Sequence, residues 1–213
     1  MGKERLEAFS DGVVAIIITI MVLELRAPAG AALRDLFPLL PTFLSYALSF
    51  VYVGIYWNNH HHLLKAARSI SGPVMWANMH LLFWLSMVPL ATSWMGEHPD
   101  ASAPVALYGV VLIFNALAYT LLARLLVRHD GPESPLAEAV GRNLWGDRKG
   151  NLSLALYAAA IAAAAAWPVI SKALYVLVAG LWFVPDRRVE RALARKSDAV
   201  RNPPRRPASK RPT

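Results

Sequence analysis

The chain has 213 residues, 56% of them hydrophobic and only 17% charged. A soluble domain carries about 25% charged residues, so this balance argues against a soluble enzyme and for one integral membrane domain. The formal charge of +8 is uneven, with ten of the 22 Lys and Arg residues from Arg187 onward, a placement that fits membrane topology better than a nucleic-acid-binding face.

The apolar run that opens the chain, RLEAFSDGVVAIIITIMVLEL, covers about 5–25. It is too long for a signal peptide and no small-residue cleavage site precedes the next run, so it is expected to remain as a membrane span. Its second half is almost wholly aliphatic, with Ile16, Thr19, Ile20 and Leu23 at helical spacing on one face. Its first half carries Arg5, Ser10 and Asp11. Charged groups inside a span are costly and mark function or a paired structural role. At roughly 100° per residue, Asp11 falls about 140° away from Ile16. The acid and the aliphatic stripe therefore point in different directions.

Five further spans are predicted from length and apolarity: about 38–62, with Pro38 and Pro41 near its start; 73–95, between Pro73 and Gly96; 104–128, opening at Pro104; 151–167; and 169–186. Trp167-Pro168 separates the last two, because proline disfavours helix in the residue before it. With six spans and the N-terminus inside, 19 of the 22 Lys and Arg residues fall on the cytoplasmic side and three (Arg26, Arg34 and Lys172) outside. That asymmetry is the positive-inside pattern and predicts two cytoplasmic termini. The loop at Asp130-Gly131-Pro132 has turn chemistry. Residues 1–190 are expected to form the membrane domain. Residues 191–213 read as a basic, disordered cytoplasmic tail, attracted to an anionic inner leaflet.

The polar residues of the second and third spans come next. His60, His61 and His62 point in three directions on a helix; a helical metal site prefers His at i, i+3 or i+4, so a cluster at the membrane interface is the better reading. Trp57 and His61, at i and i+4, share a face. Asn78 lies inside the third span, where polar side chains commonly link helices. His80 reads as a satisfied core residue rather than a proton relay, because no carboxylate series accompanies it. The alanine-rich stretch 158–166 is a helix former with no assigned function. The chain has no cysteine, no phosphate-binding glycine loop and no TVGYG-like filter. No enzymatic activity and no cofactor are expected.

Arg5-Leu6-Glu7-Ala8-Phe9-Ser10-Asp11 resembles the RxxxFSD signature of the TMEM175 family of potassium channels. Trp57 with His60-His61, and Asn78 followed by Pro89, are similar to the second and third helices of its bacterial members. The resemblance covers about 3–186. It implies an all-α channel of six transmembrane helices per chain, a homotetramer in the lipid bilayer with the first helices around the axis, and potassium as the permeant ion. It places the constriction five positions beyond the motif Asp, at Ile16, with further layers at Thr19 or Ile20 and at Leu23. It makes Arg5, Ser10, Asp11, Trp57, His61 and Asn78 a hydrogen-bonded scaffold, with Gly12 allowing close helix approach. The expected setting is a bacterial-type cytoplasmic (inner) membrane. Two other functions remain open on the residues alone: a small proton-coupled transporter or proton pathway using Asp11, His61 and His80, and a scaffold that conducts nothing.

Overall fold

The computed structural model describes residues 2–131, 134, 136–137 and 148–183. The predicted tail, 191–213, and the 190/191 boundary lie outside the described residues, as do most of the loop after Gly131 and the end of the last predicted span. The described residues are all helical or irregular: α1 Lys3–Leu23, a 3-10 turn Leu33–Leu39, α2 Leu40–Ala66, α3 Gly72–Ser86, α4 Val88–Glu97, α5 Ser102–Asp130, α6 Arg148–Ala164 and α7 Pro168–Phe183. Four stretches are long and apolar enough to cross a membrane: Lys3–Leu23, Leu33–Ala66, Gly72–Glu97 and Ser102–Asp130. Pro168–Phe183 is a shorter apolar helix.

The third predicted span is one rod broken at Met87. Pro89 sits in the first turn of α4 and cannot donate to the carbonyl one turn back. At the break, Met87 N turns back to Trp84 O at 3.2 Å, a tighter closure than the α-helical one. The buried Asn115 of α5 donates its Nδ2 to the same carbonyl at 3.3 Å and to Val111 O at 2.9 Å. Between α6 and α7 the break falls where proline predicts it, and Pro168 opens α7.

With α3 and α4 counted as one rod, the contacts between helix ends fall into two groups. At one end Lys3 Nζ donates to Lys65 O and Ala67 O, at 3.0 and 2.9 Å, and caps the carboxyl end of α2. Arg68 N to Asp130 Oδ2 and Ser69 Oγ with His129 Nε2 close the same end. At the far end Ser93 reaches Glu24, Thr42 reaches Gly96 O and Lys172 donates to Pro99 O. Described basic residues gather at the first end, leaving Arg26, Arg34 and Lys172 at the far end.

The core is shared among all the helices. α5 is its spine, packed on α3 and α6, while α6 packs on α7 and α2 on α4. Tyrosines fill the space between α2, α5, α6 and α7. Tyr52 Oη donates to Tyr175 O at 2.6 Å, and Tyr175 Oη to Val105 O at 2.9 Å. Each buried hydroxyl needs such a partner away from water. Gly109 makes this packing possible: a Cβ there would overlap Tyr175 Oη and meet Ile161 Cγ1 at 2.7 Å.

Candidate functional site

α1 has two sides of opposite character. Leu6, Ser10, Val14, Ile17 and Met21 are buried against the rest of the chain. Phe9, Ile16, Ile20 and Leu23 are exposed large hydrophobics, and Thr19 and Gly12 are exposed with them. A Cβ built on Gly12 meets nothing within 4 Å, so no close helix approach occurs there within one chain. Ile16 is 60% exposed and Ile17 only 2%. Thr19 Oγ1 donates to Ala15 O at 2.9 Å. Its proton is thereby turned back onto its own helix, and its lone pairs face outward.

The polar residues of the first three helices divide into a buried chain and a half-exposed pair of contacts. In the buried chain His60 Nε2 and Asn78 Oδ1 are 2.6 Å apart, Asn78 Nδ2 donates to Ser10 Oγ at 2.9 Å, and Ser10 Oγ donates to Leu6 O at 2.9 Å. An amide oxygen only accepts, so His60 Nε2 carries the proton. Every bond then points the same way, from α2 through α3 to α1. Asn78 and Ser10 are fully buried and His60 nearly so.

The second group lies nearer solvent. Trp57 Nε1 donates to Asp11 Oδ1 at 3.0 Å. His61 Nδ1 is 2.8 Å from Glu7 Oε1, and its ring stacks on Trp57 with centroids 6.2 Å apart. Asp11 therefore faces α2, away from the exposed stripe. Arg5 is exposed at the start of α1, and among the described residues no bond ties it to Asp11 or Trp57.

Sequence reasoning missed Glu7 and His60. Glu7 lies four residues before Asp11, which puts it one turn back on the same face as the acid that meets Trp57; that spacing was the available signal. His60 was readable only from the need of Asn78 for a buried partner. His80 differs from its expected place in the core. It is exposed on α3, and its Nε2 accepts from Trp84 Nε1 at 3.0 Å, one turn along. The neighbours Ala77, Asn78, Leu81 and Leu82 take the inward positions instead. Among the described residues, no three His, Cys, Asp or Glu side chains come together as a metal-binding group.

Known proteins are similar to this chain in sequence and in fold. The family described as endosomal/lysosomal potassium channel TMEM175 matches residues 5–89, the stretch that carries α1, both polar groups and the break at Met87. A potassium channel of Chryseobacterium sp. (strain P1-3) is 50% identical over 193 residues, covering 91% of this chain and 98% of that protein. The chain belongs to the TMEM175 family. The family and these relatives are ion channels, so a channel rather than an enzyme is the class to which the chain is assigned. The crystal structure of a lysosomal potassium-selective channel TMEM175 homolog from Chamaesiphon minutus superposes with a TM-score of 0.72 at 25% identity, covering 85% of this chain and 96% of that one. The human endosomal/lysosomal proton channel TMEM175 is 31% identical over 136 residues, 57% of this chain but only 27% of its own length.

Proposed function

We propose that four copies of this chain form a potassium-permeable cation channel, with the exposed stripe of α1 around the axis. The observation that carries the reading is the one-sided burial of α1: its own chain covers Ile17 and leaves Ile16 open. One such helix cannot enclose a path, whereas a closed ring of copies can. In the ring, Ile16 forms an aliphatic neck without an oxygen ligand. An ion passes it only by giving up water, and potassium releases water more readily than sodium. Thr19 and Ile20, then Leu23, form the following layers. The outward lone pairs of Thr19 suit a cation that has just left the neck.

In this reading Ser10, Asp11, Trp57, His61 and Asn78, with Glu7 and His60, hold α1 against α2 and α3 and touch no ion. Arg5, exposed beside the stripe, completes the scaffold through a neighbouring copy. Residues 1–190 make the six-span membrane domain, with the basic end and both termini in the cytoplasm and residues 191–213 as a cytoplasmic tail. A bacterial-type inner membrane fits the relatives with this architecture.

Proton conduction is the second reading, favoured by the name of the human relative. The buried chain weighs against it here. Asn78 sits in the middle, and an amide does not hand a proton on at ordinary pH. Purified protein in liposomes separates the readings: ohmic potassium current supports the channel, proton flux without potassium current supports the second, and neither supports a scaffold.

A further inference from the structure

The membrane-spanning reading has a consequence for the 3-10 turn Leu33–Leu39. Three large hydrophobic side chains stand out from it: Leu33 is 84% exposed, Phe37 74% and Leu36 50%. With three residues per turn, Leu33 and Leu36 share one face, while Arg34 and Phe37 share the next. The one acid is turned back onto its own loop. Asp35 Oδ2 accepts from Ala32 N at 2.9 Å, and its carboxylate fills the space where a Cβ on Gly30 would lie. The outward surface is thus apolar with one free cation, Arg34. Among the described residues, nothing covers these side chains.

Its depth can be read from α2. The first polar cluster at the basic end of α2 begins at Asn58-Asn59. A hydrocarbon core about 30 Å thick takes about 20 helical residues. Counting back from Asn59 reaches Leu40, the first residue of α2, and residues 40–59 contain no charge. The turn therefore lies at the level where hydrocarbon gives way to headgroups. Its exposed apolar surface continues into Leu40, Phe43 and Leu44, which are also exposed.

We infer that Leu33–Leu39 is a membrane-seated foot, with Leu33, Leu36 and Phe37 resting in the acyl boundary of the outer leaflet and Arg34 among lipid phosphates. The arrangement is that of an interfacial segment: apolar side chains at the boundary, a basic head reaching the headgroups, and no exposed acid. It fixes the depth and tilt of α2, to which it is joined without a break.

The cysteine-free chain makes the test direct. Single cysteines at Leu33 and Phe37 are spin-labelled in the full-length protein in phosphatidylcholine–phosphatidylglycerol vesicles. Collision rates with oxygen and with a neutral nickel chelate are then measured. Asp100→Cys, on an outward loop, gives the water reference, and Val176→Cys, on the exposed face of α7, gives the lipid reference. The foot predicts labels at 33 and 37 with oxygen collisions severalfold above the water reference and nickel collisions severalfold below it. Nickel collisions equal to those at 100 overturn it, because the turn is then in water. Low collisions with both reagents also overturn it, because a second copy then covers the turn. If the label at 176 is itself water-like, the membrane-spanning reading fails, and the result is distinguishable from failure of the foot alone.

Discussion

Ile16 and Ile17 are neighbours in sequence and opposites in the fold: Ile17 is packed against the core, while Ile16 is exposed on the other side of α1. The first prediction rests on this contrast. Ile16→Asn adds dipoles to the neck and wets it, so current rises and discrimination of potassium from sodium weakens. Ile17→Asn instead buries an amide among apolar side chains, at a cost of several kcal/mol. It lowers the yield of assembled protein while the surviving channels select like the parent. Both are checked in one planar-bilayer experiment at matched protein amounts. A parental Ile16→Asn beside a non-selective Ile17→Asn would put the conduit on the other side of α1.

Asn78 links three helices through its amide. Asn78→Leu leaves the His60 Nε2–H and the Ser10 oxygen without that partner in a dry site, about 1–3 kcal/mol for each orphaned group. Thermal unfolding in detergent is expected to shift down by several degrees. Trp57→Phe loses a single bond to Asp11 at a half-exposed position, where solvent compensates, so its shift is smaller. The reverse order would mean that the half-exposed contacts, not the buried chain, hold α1 in place.

Asp11→Ala removes the acceptor of Trp57 Nε1 without touching the stripe. Tetramer recovery on size-exclusion chromatography should fall, with the potassium-to-sodium permeability ratio of the remaining channels unchanged. An intact tetramer with altered selectivity would show that Asp11 meets the ion.

Topology gives a fourth prediction, because the basic residues gather at one end of the bundle. A reporter active only in the cytoplasm, fused after Thr213, should be active, and one fused within Ala27–Gly30 should be silent. The opposite pattern would invert the channel in the membrane.

The sequence carried much of this because membrane chains obey a narrow code. Apolar length, proline breaks and the placement of charge marked α1, α2, α5 and the α6–α7 break, and marked α3 and α4 only as one undivided span. The orientation of α1 also followed, since 100° per residue separates Asp11 from Ile16 whatever the rest of the chain does. The details of the polar groups were less legible. Three adjacent histidines present three faces, and only the placement of α1 against α2 and α3 decides that His60 meets Asn78 while His61 meets Glu7. His80 was misread as core because periodicity in an apolar span does not say which face is inward when both faces are greasy. At the break, Asn115 of α5 adds a second donor to Trp84 O, a pairing across 31 residues that no local pattern announces.

The central claim is that potassium flows through a pore formed by copies of this chain. It is tested most directly by single-channel recording of the purified protein in a planar bilayer, with potassium chloride on one side and an equal concentration of sodium chloride on the other. The account predicts discrete ohmic openings whose reversal potential is displaced from zero in the direction set by potassium. Absence of unitary current, or a reversal potential that follows a proton gradient and ignores potassium, would contradict it.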